Sequence, residues 1–77
     1  MDWIQTPHSR NQLAKRKIPE SFVEMALNNP DEIVPGHKDR TVYHKIIKDK
    51  LLRVVTSGNT VITAYLTSKI NKYTKGE

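Results

Sequence analysis

The hydrophobic period of the chain changes once, near residue 40, and this change constrains the fold more than any other feature. After it, the segments TVYHKII, LLRVVT and TVITAYL alternate apolar and polar side chains and are rich in β-branched and aromatic residues. They are separated by Lys48-Asp49-Lys50 and Ser57-Gly58-Asn59, whose composition is typical of hairpin turns. The second half is therefore predicted to form three antiparallel strands in meander order.

Two helices are predicted in the first half. Thr6 is a good N-cap and Pro7 a good first helical residue, because proline there gives up an N–H that has no partner. This helix is expected to end at about Arg16. A second helix is expected to begin near Pro19 and to stop at Asn28-Asn29-Pro30, since the residue before a proline is pushed out of the helical region.

Two further short strands complete the predicted order, one within residues 1–5 and one at residues 32–34. A short strand, two helices and a β-meander make an α+β domain in which the helices cover one face of the sheet. The chain has 77 residues and shows no repeat or linker, so a single domain spanning residues 1–77 is expected.

Charge and composition narrow the classes of function. The formal net charge of +5 makes a polyanion such as RNA a plausible partner, although basic side chains also simply keep small domains in solution. Acidic residues cluster in PESFVEMALNNPDEI, which leaves LAKRK and the C-terminal third of the chain strongly basic. There is no cysteine for a disulfide or a thiolate zinc site, and no long apolar run for a signal peptide or membrane span. We expect a cytoplasmic protein with no membrane partner and no cofactor.

Strand alternation predicts which side chains face away from the helices. In the last strand Ile62, Ala64 and Leu66 are expected to face the core and Val61, Thr63 and Tyr65 the opposite, open face. In the preceding strand Leu52 and Val54 are expected to face the core, which sends Arg53 to the open face. Arg53 and Tyr65 share that face only if the intervening loop is the three-residue Ser57-Gly58-Asn59. A two-residue Gly58-Asn59 turn would separate them, and the hydrophobic pattern favours the longer loop.

The first helix carries a polar row made of His8, Gln12, Lys15 and Arg16. One interpretation is a solvated helix face. The other is that its edge borders the open sheet face and supplies donors for phosphate.

Arginine, lysine and tyrosine on one face indicate phosphate chemistry. Arginine and lysine bind phosphate oxygens and stabilise negative charge, and in RNA the 2′-OH can attack the adjacent phosphorus without a metal ion. Arg53, with Tyr65 or His8 as proton-transfer group, is the catalytic candidate set; Lys15, Arg16, Ser68 and Lys69 are candidate substrate-binding residues. The ordinary interpretations are a strand aromatic for Tyr65, a local hydrogen bond for His8 and a frayed terminus for Ser68 and Lys69. His8, His37 and His44 lack the spacing of a metal site.

The segments HSRNQLAKRKIPESFVEMALNNPDEIV, LLRVV and VITAYLTSK together resemble small bacterial and archaeal domains of unknown function that group with the BrnT and RelE/ParE toxin superfamily. The resemblance implies a RelE-like fold and either metal-independent endoribonuclease activity or gyrase poisoning, neutralised by an antitoxin. It places the family's helix histidine at His8, its second basic helix residue at Arg16 and its strand arginine at Arg53. The closing positions are Tyr65, Ser68 and Lys69. The chain departs from the pattern at Gln12, where a basic residue is usual, and at Lys17, where a glycine is usual.

Two functions therefore stay open at the level of sequence. The first is a toxin-like endoribonuclease, with RNA or the ribosome as target and a cognate antitoxin as protein partner. The second is a non-catalytic module that uses the same basic face to bind RNA or a partner protein.

Overall fold

The helices begin and end close to where the sequence predicts. The computed structural model describes residues 3–68. Helix α1 follows Thr6, whose hydroxyl accepts the Ser9 N–H at 3.1 Å, and ends before Lys17 in the left-handed region. The elements in chain order are β1 (Ile4–Gln5), α1 (Pro7–Arg16), α2 (Glu20–Asn28), β2 (Glu32–Pro35), β3 (Thr41–Ile47), β4 (Lys50–Ser57) and β5 (Thr60–Thr67).

The strands form one mixed five-stranded sheet in the order β1-β5-β4-β3-β2. Strands β2 to β5 form a continuous antiparallel meander, and β1 adds to β5 in parallel through Ile4 and Gln5. The predicted α+β class is confirmed, including both short strands. No helix within residues 3–68 has the length and apolar character needed to cross a membrane.

The core lies between the helices and one sheet face, which we call the helix face. Leu52 and Val54 are fully buried there, as predicted, against Val23 and Ala26 of α2. Fully burying a side chain of valine or leucine size stabilises a fold by roughly 1.5–3 kcal/mol. The core cluster is Leu13, Ile18, Val23, Ala26, Leu52, Val54, Val61 and Ala64.

The β4–β5 connection differs from the predicted one. Ser57 pairs with Thr60, so the turn is the two-residue Gly58-Asn59 and not a three-residue loop. Gly58 has φ 59°, a conformation that glycine adopts at no steric cost. The register then shifts between Val55 and Thr56, so that one extra residue enters β5 as a β-bulge.

This bulge corrects the predicted facing of one end of β5. Thr56 pairs with Val61 and Val55 with Thr63, which leaves Ile62 as the extra residue. Val61 is consequently fully buried in the core, and Ile62 is half-buried, the reverse of the prediction. From Thr63 onward the residues of β5 face the predicted sides of the sheet. The shorter turn alone would have reversed their facing, and the extra residue of the bulge reverses it back.

Candidate functional site

Four polar side chains form a row across four neighbouring strands. Glu32 of β2 pairs with His44 of β3, His44 with Arg53 of β4, and Arg53 with Tyr65 of β5. Directly paired residues project to the same side of a sheet. Because Val54 and Ala64, the neighbours of Arg53 and Tyr65, belong to the core cluster, this row lies on the face opposite the helices.

Hydrogen bonds join the row from end to end. Arg53 donates from Nη1 to the Tyr65 hydroxyl and from Nε to His44 Nε2 at 3.0 Å. On the far side of the ring, His44 Nδ1 lies 3.1 Å from Glu32 Oε1. The Arg53 guanidinium carbon also lies 5.6 Å from the centre of the Tyr65 ring, within cation–π range. The predicted proximity of Arg53 and Tyr65 is thus found, but through a different hairpin.

The centre of this face is buried, whereas the sequence predicted an open face. His44 and Leu51 have no exposed surface, and Arg53 and Tyr65 are half-buried. The row becomes more accessible at Glu32, whose side chain is 32% exposed. A charged guanidinium in such a position needs partners, and His44 and Tyr65 supply two of them.

Helix α1 reaches the same strand from its edge. Arg16 donates from Nη1 to Thr63 Oγ1 at 3.0 Å and to the Ala64 carbonyl at 2.7 Å, and the Thr63 hydroxyl donates to Gln12 Oε1. Thr63 precedes Tyr65 by two positions, so both project to the face opposite the helices. The polar row of α1 therefore borders β5, and Gln12 and Arg16 are its points of contact.

The other predicted site residues do not all lie beside Arg53 and Tyr65. His8 and Lys15 are exposed on α1, where they line a surface hollow of about 390 Å³ together with Gln12 and Arg16. Within residues 3–68, no hydrogen bond or ion pair joins His8 to Arg53 or Tyr65. Ser68 is exposed just after β5, and Lys69 lies outside the described residues.

The structure shows no cluster of potential metal ligands among residues 3–68. Nowhere in that part do three or more histidine, aspartate or glutamate side chains come together as a metal-ligand group. The histidine of the row, His44, has its two ring nitrogens engaged by Glu32 and Arg53.

Comparison with known proteins assigns a family. The model of the family described as "Domain of unknown function (DUF4258)" matches residues 5–66. The chain belongs to the DUF4258 family. No curated protein and no solved structure matches the chain significantly. The DUF4258 match runs from β1 into the end of β5, and it contains the complete row and all of α1.

Sequence reasoning missed two members of the row in this DUF4258 domain. For His44 the sequence argues only against a metal site, and it predicts Glu32 only as part of a short strand. Alternation within TVYHKII does place His44 on the side of Val42, away from Tyr43 and the core. The pairing of His44 with Arg53, however, follows from the β3–β4 register, which the sequence did not specify.

Proposed function

We propose that this DUF4258 domain is a toxin-like protein of the RelE/BrnT type, with a RelE-like fold, that binds RNA and cleaves it by 2′-OH attack. The observation that carries the proposal is the Arg53–Tyr65 pair, in which a guanidinium donates to a tyrosine hydroxyl on a half-buried sheet face. A cation beside a hydroxyl oxygen stabilises negative charge there, and also charge that develops on a phosphate close by.

Tyr65 is the proposed proton acceptor. Tyr65 would first release its own hydroxyl proton to solvent. Its phenolate oxygen would then take the proton of the substrate 2′-OH as the 2′-oxygen bonds to phosphorus and the bond from phosphorus to the 5′-oxygen breaks. The leaving 5′-oxygen then takes a proton from water or from the imidazolium form of His8, which is exposed on α1. The products are a 2′,3′-cyclic phosphate and a 5′-hydroxyl end.

Substrate binding is assigned to cations around β5. Arg16 is tied to Thr63 and Ala64, and Lys15 lies next to it on the exposed surface of α1. The formal net charge of +5 adds a favourable long-range field for a polyanion. Ser68, which is exposed just after β5, is a further proposed binding residue, and Lys69 is proposed for the same role from the sequence alone.

The test is RNA cleavage by the purified protein in the presence of a metal chelator. We expect fragments that end in 2′,3′-cyclic phosphate, and a growth defect on expression that a cognate antitoxin relieves. Arg53→Ala should lose most of the cleavage, whereas Lys50→Ala, which removes an exposed charge from the same strand, should retain it. Intact RNA at high protein concentration, together with normal growth, would reject the nuclease.

A second candidate is a binding module without turnover. The observation that favours it is that Arg53 bonds two side chains of its own sheet and that His44 is completely buried, as in a network that holds strands together. Such a module would bind RNA, or a partner protein, with no effect on the RNA chain. RNA recovered intact from a stable complex supports this candidate over the first.

A further inference from the structure

We propose that His44 is a positioning residue of the Arg53–Tyr65 pair: as a neutral imidazole with its proton on Nδ1, it fixes the plane of the Arg53 guanidinium against the Tyr65 hydroxyl. The inference rests on the proposed function, because these are the groups assigned to RNA cleavage. It adds a buried residue that contacts neither substrate nor reacting atoms.

The tautomer follows from the donor and acceptor capacities of the partners. Arginine has only N–H donors, so the 3.0 Å contact between Arg53 Nε and His44 Nε2 requires a lone pair on Nε2. The carboxylate of Glu32 can only accept, so the 3.1 Å contact with Nδ1 requires a proton on that nitrogen. One tautomer satisfies both contacts, and in it the imidazole is neutral.

The neighbours of His44 in the sheet all fit this tautomer. Glu32 faces it from β2 and Arg53 from β4, and Tyr65 of β5 follows beyond Arg53 in the same row. The helices pack on the other face of the sheet, and the ring has no exposed surface. A second proton on the ring would point an N–H at the Arg53 N–H, a contact between two donors and two cations.

Two hydrogen bonds are needed because an arginine side chain is long and flexible. The bond from Nη1 to Tyr65 fixes one nitrogen of the guanidinium, and the bond from Nε to His44 fixes a second. Two fixed atoms of a planar group largely define its orientation. Loss of His44 removes one of these two restraints on the guanidinium, and small misplacements of reacting groups slow reactions strongly.

The test compares His44→Gln with His44→Leu. Glutamine offers a carbonyl oxygen to Arg53 and an amide N–H to Glu32, so it keeps the order of donor and acceptor. Leucine has a comparable bulk and no polar atom. Both variants are compared with the parent protein at a temperature where circular dichroism shows each one to be fully folded.

The first readout is NMR and needs no RNA. In the parent protein we expect the ring nitrogens of His44 to show a protonated Nδ1 and a bare Nε2, and the Arg53 Nε–H to exchange slowly with water. His44→Gln should keep the slow exchange and His44→Leu should lose it. A proton on Nε2 in the parent, or unchanged protection of the Arg53 Nε–H in His44→Leu, would overturn the inference.

The second readout separates binding from the chemical step. In single-turnover cleavage His44→Leu should lower the rate constant roughly 10- to 100-fold, with RNA affinity within about twofold, and His44→Gln should stay within about threefold of the parent rate. Equal rates in the two variants would contradict a positioning role. If the parent itself does not cleave RNA, the proposed function fails, and the NMR readout alone decides whether His44 holds Arg53.

Discussion

Arg16 of helix α1 donates a 2.7 Å hydrogen bond to the carbonyl oxygen of Ala64 in strand β5, across 48 positions of sequence. Strand β1 pairs with β5 only at Thr60 and Val61. Among residues 3–68, the rest of β5 therefore has no neighbouring strand on the edge that faces away from β4. The side chain of Arg16 satisfies one backbone carbonyl of this edge, as backbone polar groups without a strand partner require. Arg16 therefore serves the fold as well as the proposed RNA surface.

Replacing Arg16 by alanine should lower both stability and RNA affinity. The substitution removes the bonds to Thr63 and Ala64, and we expect a loss of about 1 kcal/mol in the free energy of unfolding. Lys15→Ala is the matched control: the neighbouring side chain is exposed, so only RNA affinity should fall. Urea denaturation measures the first effect and filter binding the second. Equal unfolding free energies for the two variants would show that the Arg16 contacts do not stabilise the edge.

Tyr65→Phe isolates the hydroxyl of Tyr65 from its ring. The aromatic surface near Arg53 is kept, while the hydrogen-bond acceptor of Arg53 Nη1 is removed. Loss of a general base typically lowers a rate by about 10²–10⁴-fold, so cleavage should fall by that order with RNA affinity nearly unchanged. Tyr43→Phe is the control, because Tyr43 packs against the core on the helix face, edge-to-face with Trp3. Comparable cleavage by both variants would exclude Tyr65 as the base.

Salt dependence distinguishes a phosphate surface from a protein-binding one. If single-stranded RNA engages about four phosphates, the logarithm of affinity should fall against the logarithm of salt concentration with a slope of about −3. Lys15→Ala should reduce that slope by about 0.7, the share of one phosphate contact. Affinity that does not change with salt would point to a protein partner for this surface.

The β-bulge at Ile62 should be removable without changing the row. Deleting Ile62 lets Val61 and Thr63 follow each other directly, which keeps Thr56 opposite Val61 and Val55 opposite Thr63. Arg53 should therefore still face Tyr65. Cross-strand nuclear Overhauser contacts between Val55 and Thr63 measure this register. Deleting Asn59 is the comparison, because it leaves only one residue between the paired Ser57 and Thr60, so the turn must change its conformation. Loss of the Val55–Thr63 contacts on deletion of Ile62 would contradict the assigned bulge.

Local chemistry determined most of the secondary structure of this DUF4258 domain. The Thr6-Pro7 start of α1 depends on a cap and a ring that act within one turn, and Asn29-Pro30 stops α2 for an equally local reason. The period-two alternation of β3 and β4 likewise follows from side chains in a single segment. Such signals are complete in the sequence because the residues that interact are neighbours in it.

Tertiary structure decided the turn, the bulge and the row. The turn between β4 and β5 can contain Gly58-Asn59 or Ser57-Gly58-Asn59, and the choice depends on how the two strands pair over their whole length. The bulge at Ile62 likewise cannot be predicted from the alternation of side chains within β5 alone. The sequence alone determined that Arg53 and Tyr65 leave the core. Their junction with His44 and Glu32 depended on the registers of three strand pairs, because hydrogen bonds between side chains 9 and 12 positions apart exist only after the strands have aligned.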